Sequence, residues 1–142
     1  MKNRVLCAIA LAGCMLSANA MARVPPVSQL TVTAVQSQAG ATDYVDGNGS
    51  VSRHHGGSYI HVYTFEAGMG NARATMNGAN LREIGTTNAC FQGSWRPCRN
   101  GETIQGHYRT WDASGKGNGT FTVSSQSTSS PRNTVTRSIS IW

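Results

Sequence analysis

His54–Asn71, HHGGSYIHVYTFEAGMGN, is the stretch whose reading decides the fold. Tyr59, Ile60, Val62, Tyr63, Thr64 and Phe65 make it the densest run of strand-forming residues beyond the N-terminal segment. Apolar side chains fall on both parities, so both faces of this strand are expected to be at least partly covered. That suits a central strand better than an edge. Glycines bracket it, with Gly56-Gly57 before and Gly68 and Gly70 after. Three of the four histidines, His54, His55 and His61, lie within it.

Outward from this strand the chain alternates repeatedly. Leu30–Gln36 reads as a half-buried strand, with Leu30, Val32 and Ala34 on one parity. Ser37–Gly49 is rich in turn residues. Its Asp46-Gly47-Asn48-Gly49-Ser50 places oxygen ligands as a calcium loop does, but Val51 and Gly57 stand where that loop needs Gly and Glu, so a plain turn is expected. Ala72–Met76 alternates and leads into Asn77-Gly78, the strongest short hairpin signal, with Asn80–Ile84 as the return strand. Gly85–Gly101 reads as the longest irregular stretch. Glu102–Ala113 reads as a second long strand, with His107, Arg109 and Trp111 on one face and Tyr108 and Thr110 on the other. Thr120–Ser125 points Phe121 and Val123 inward, and Thr134–Trp142 closes the chain with Val135, Ile139 and Ile141 on one parity. No helical periodicity interrupts this succession. The fold expected is all-β: a single compact antiparallel β-sandwich or small barrel.

The first twenty residues belong to another purpose. Lys2 and Arg4 precede an apolar run, Val5–Leu16, and Ser17-Ala18-Asn19-Ala20 ends in the small-x-small pattern that a signal peptidase cuts. The run is too short to span a bilayer, which takes about 20 apolar residues. The chain divides into a signal peptide (1–20), an extended, exposed entry segment (21–28) and an all-β domain (29–142), and its product is secreted or periplasmic. The alternative is a lipid anchor on Cys14, since Leu11-Ala12-Gly13-Cys14 resembles a lipobox. Of the 12 Lys and Arg residues, Lys2 and Arg4 leave with the leader, so ten face six acidic residues, a net of +4. They are scattered, which argues for a mildly basic surface and against nucleic acid as the partner. Cys90 and Cys98 remain as an even pair in an oxidising compartment, and a disulfide closing CFQGSWRPC is expected. Closing so short a loop stabilises by about 2.5 kcal/mol.

The blocks HHGGSYIHVYTFEAGMGN, ATMNGANL and GTFTVSSQSTSSPRNTVTRSISIW together resemble the YolA-like family of small secreted bacterial proteins, which have no established activity. The resemblance implies export and one compact domain. It carries no catalytic residues over, and the cysteine loop stands outside its pattern.

Two kinds of chemistry are open to these residues. His61 and His107, on two strands that are expected to be neighbours and each on an aromatic-bearing face, with Glu102 as base, would make a small exported hydrolase or nuclease-like toxin. Glu66, Arg109 and Arg99 are further members of that set. Against it, Glu102 lies five positions from His107, on the other face of an unbent strand. The histidine spacing fits no metal motif, so no metal and no cofactor is expected. No serine sits in a nucleophile elbow, and Gly68-Met69-Gly70 opens no helix to cradle a phosphate. The other chemistry is binding. Trp95, Arg96 and Arg99 in the bridged loop, with Tyr63 and Trp111, have the composition of an interaction surface: aromatic anchors, arginine and restricted entropy. Tyr59 and Trp142 are lesser platforms. The expectation is a binding module for an extracellular or envelope ligand, a glycan or a protein, rather than an enzyme.

Overall fold

The computed structural model describes residues 23–45 and 49–142. The leader, the Cys14 site and Asp46–Asn48 of the calcium-like loop lie outside the described residues. The strands are β1 (Gln29–Ser37), β2 (Ala41–Tyr44), β3 (Ile60–Ala67), β4 (Gly70–Met76), β5 (Ala79–Asn80), β6 (Arg82–Phe91), β7 (Trp95–Pro97), β8 (Gly106–Asp112), β9 (Gly119–Ser127) and β10 (Thr134–Ile141). They form two antiparallel sheets, a curled six-stranded one in the order β2-β1-β3-β8-β6-β7 and a four-stranded one in the order β10-β9-β4-β5. The expected all-β architecture is the one found. The strand read as central lies third of six, between β1 and β8.

The core forms where the inner faces of the sheets meet. Leu30, Val32, Val35, Val62 and Trp111 come from the larger sheet, and Ala74, Met76, Phe121, Val123, Ile139 and Ile141 from the smaller. Phe121 and Val123 are fully buried, as their parity indicates. A second cluster, Phe65, Ala67 and Ala89 with Trp95 and Tyr108 packed on it, is separate from this core.

Corners decide which sheet a strand joins. Between β3 and β4 the chain turns at Gly68, where φ is 96°. A Cβ there would lie 2.1 Å from the carbonyl oxygen of Pro26, so no side chain fits. The Asn77-Gly78 turn has φ of 51° and 79°, the left-handed pair that a tight hairpin needs. Its return strand β5 lasts two residues before the chain crosses at Leu81 to the other sheet.

Three expectations need correction. Ser37–Gly49 contains β2, because Ala41–Tyr44 pairs with Ala34–Ser37. Gly85–Gly101 is not irregular: most of β6 and all of β7 lie in it. Thr86–Asn88 are exposed on that strand, which leaves no apolar periodicity to read. The entry segment is docked rather than exposed at its end. Val27 is buried, its N–H donates to Ser127 Oγ (2.8 Å), and its carbonyl accepts from Asn133 Nδ2 (2.8 Å).

Candidate functional site

The free face of the six-stranded sheet is built by alternation plus two bulges. On β3, Val62, Thr64 and Glu66 turn toward the second sheet, so His61, Tyr63 and Phe65 turn away. Their partners on β8 are Asp112, Thr110 and Tyr108, which share that face. An extra residue at Thr33 shifts the register of β1 and sets Ala34 opposite Tyr63 and Gln36 opposite His61. A second bulge at Ile84 sets Gly85 beside Thr110 and Thr87 beside Tyr108. Bulges bend a sheet as well as re-aiming its side chains. The result is a trough of about 620 Å³ that runs from Thr42 and Tyr44 of β2, across β1, β3 and β8, to Gly85 and Thr87 of β6.

The trough has a consistent chemistry. Tyr44 stands at its rim, 74 % exposed. Tyr63 donates its hydroxyl to Gln36 Oε1 at 2.7 Å, which leaves the Gln36 amide NH₂ free to donate outward. Burial pushes the Tyr108 phenol up from its ordinary pKa, so it stays a neutral donor. Arg109 is the single charged residue of the lining. Its guanidinium is spent on the other face, on Glu83 Oε2 (2.9 Å) and the Gly70 carbonyl (3.2 Å).

One end of the trough continues into an aromatic shelf. Phe65 packs edge-on against Trp95 with centroids 4.8 Å apart, and lies 5.2 Å from Tyr108. Phe91 follows, 5.4 Å from Trp95 and 49 % exposed. The Cys90–Cys98 disulfide is present and closes the β6–β7 hairpin, with the two Cα atoms 5.0 Å apart. Thus Tyr63 and Trp95 belong to one continuous face. Of the other residues expected to bind, Arg96 is committed to Glu102 by two bonds of 2.8 and 2.6 Å. Arg99 gives its backbone N–H to the same carboxylate at 2.7 Å. Led by the Arg96 bond, these hold Glu102 down to a pKa of about 2. Trp111 is a correction: it is 3 % exposed and donates its indole N–H to Thr64 Oγ1 at 3.0 Å, inside the core. The bridge sulfurs and Glu102 lie within 4.8 Å of one another, but sulfurs bonded to each other are not available to a metal.

The acid–base set expected for a hydrolase does not assemble. His61 lies on the free face, stacked at 5.1 Å on Tyr59. His107 pairs with Glu66 at the opposite end of the β3–β8 ladder and points to the inner face. Glu102 is bound by Arg96. What does assemble is Glu66, His107 and Arg109, with Glu66 Oε1 3.6 Å from His107 Nδ1, 3.7 Å from Arg109 Nη2 and accepting from Gly70 N–H at 3.0 Å. Burial alone would raise the Glu66 pKa, but His107, Ser125, Arg109 and Gly70 together hold it below the usual range. Glu66 Oε2, His107 Nδ1 and Arg109 Nε are sealed from solvent. Glu66 is therefore a buried carboxylate between the sheets, with His107, Arg109 and the Gly70 N–H gathered on one of its oxygens.

A second polar set has the composition of a catalytic triad. Ser37 Oγ accepts N–H groups of Gly40 (2.8 Å) and Gly56 (3.3 Å) and lies 2.9 Å from His55 Nδ1. His55 Nε2 faces Asp43 Oδ2 at 3.6 Å. With both lone pairs of Ser37 occupied, its proton goes to Nδ1, and the oxygen is no nucleophile. Asp43 meanwhile holds Ser52 and Arg53 N–H at 2.6 and 2.9 Å. The set is a clasp that ties the His-Gly-Gly segment to the β1–β2 hairpin. Gly40 makes room for it, since a Cβ there would come within 2.6 Å of the His55 ring.

Sequence reasoning missed Tyr44, Gly85, Thr87 and Gln36, because β2 and β6 went unread and the two bulges leave no mark in composition. Compared with curated proteins and with solved structures, the chain matches none. A family model for a domain of unknown function, DUF4879, matches residues 22–141, and the chain belongs to that family.

Proposed function

We propose that the protein is exported, is processed behind Ala20, and acts as a binding module at the cell surface or outside the cell, holding its partner on the free face of the six-stranded sheet. The observation that carries this reading is the trough of about 620 Å³ with its aromatic shelf. A sheet face that packs on nothing while presenting Tyr44, Tyr63, Tyr108 and Trp95 is an uncommon arrangement for a small domain unless something covers it. The leader-like residues and the resemblance to YolA-like secreted proteins support export. Glu66 is buried and Glu102 is tied to Arg96, so neither glutamate is free to act as a base, which argues against the hydrolase alternative.

The test is co-sedimentation of the processed protein with envelope fragments of the producing cells. Gly85→Leu is the blocking variant. A Cβ at Gly85 meets nothing nearer than Thr110 Oγ1 at 3.5 Å, so the fold tolerates it while the side chain fills the trough. Tyr44→Ala is the second variant, at a site too exposed to affect folding. Binding by the wild type and at least tenfold weaker binding by both variants supports the reading. Equal binding by all three overturns it.

A further inference from the structure

We infer that the ligand of this trough is a neutral oligosaccharide. The inference rests on the binding reading above and names its substrate class. Three observations carry it. First, the floor is uncharged: Arg109 is the one charged residue of the lining, and it is neutralised by Glu83 and Glu66 on the opposite face. An anionic ligand would give up its water and find no cation in return. Second, the polar groups present are short hydroxyls and one amide. Thr42, Thr87 and Thr110 each donate and accept, Tyr108 stays protonated, and Gln36 is oriented by Tyr63. That array suits a ligand studded with hydroxyls, which needs donors and acceptors at every step rather than a few strong charges. Third, rings stand among the hydroxyls and then form the shelf at the end. Pyranose rings have apolar C–H faces as well as hydroxyl rims, so alternating hydroxyls and aromatic faces match both.

The geometry also speaks to length. The trough crosses five strands, β2 to β6, at about 4.8 Å each. That gives a span of about 19 Å, long enough for an oligosaccharide rather than a single sugar ring. Charge appears beyond Thr110 along β8, where Asp112 and Arg82 of β6 face each other at 3.6 Å.

The experiment uses the envelope-bound protein. Envelope fragments are treated with protease, then challenged with oligosaccharides released from the same envelope and split on an anion exchanger into a neutral and an acidic pool. Binding is expected to survive protease and to be displaced by the neutral pool, with Gly85→Leu and Tyr108→Ala each binding at least tenfold more weakly. Displacement by the acidic pool alone, by neither pool, or loss of binding after protease overturns the sugar assignment. If Gly85→Leu is still weak in that case, the binding face stands and only the ligand class falls. If Gly85→Leu binds as the wild type does, both fall.

Discussion

Glu66 holds a negative charge between two sheets, 1 % exposed, and the interior is arranged around it. Its folded pKa lies below the usual 4.5, so the stabilisation from its ionised form is fully present above about pH 4.5 and is lost as pH falls through the lower folded value. Asp43 and Asp112 are lowered as well and add to the same acid limb. Urea melts are expected to show stability declining as pH falls below about 4.5. Glu66→Gln leaves Arg109 and His107 facing a neutral amide, and it is expected to cost about 3–5 kcal/mol at pH 7 and to flatten the acid limb. A variant as stable as the wild type, with the same pH profile, would show that the cluster carries no net stabilisation. At this scale the sequence was half legible. The faces of His107, Arg109 and Trp111 follow from parity alone. That Glu66 rather than Glu102 meets His107 depends on the β3–β8 register, which no local pattern encodes.

The β6–β7 hairpin is the element that joins stability to the proposed site. It is an edge pair with little core beneath it: Ala89 and Cys90 are its buried residues, and Trp95 packs on Phe65. Its three-residue ladder is short, so the disulfide matters more here than it would in a central strand. Replacing both Cys90 and Cys98 by alanine is expected to lower stability by about 2.5 kcal/mol. It is also expected to quench the shelf, seen as a red shift and loss of anisotropy in Trp95 fluorescence against a Trp111→Phe, Trp142→Phe background. An unchanged Trp95 spectrum would mean that the shelf is held by packing alone. The same element shows where sequence reading failed. Arg82-Glu83-Ile84-Gly85-Thr86-Thr87-Asn88 is polar on both parities because this edge of the larger sheet extends past the cover of the smaller one, and a strand that buries neither face leaves no alternation to find. β3 stood out because both of its faces carry large apolar groups, Ile60 and Val62 in the core and Tyr63 and Phe65 on the free face.

At the scale of the whole molecule, the sandwich architecture was legible because strand and turn signals agree along most of the chain, from Leu30–Gln36 to Thr134–Trp142. The trough was not, because it arises from two single-residue bulges, at Thr33 and Ile84, acting on five strands at once. One sheet is committed on its inner face to a shared core and left open on its outer face, and the functional proposal depends on that asymmetry. Hydrogen–deuterium exchange of the processed protein, with and without saturating envelope fragments, tests it most directly. The proposal predicts new protection in Thr42–Tyr44, Gly85–Thr87 and Tyr108–Thr110, with β9 and β10 unchanged. Protection confined to β9 and β10, or none in the six-stranded sheet, would contradict it.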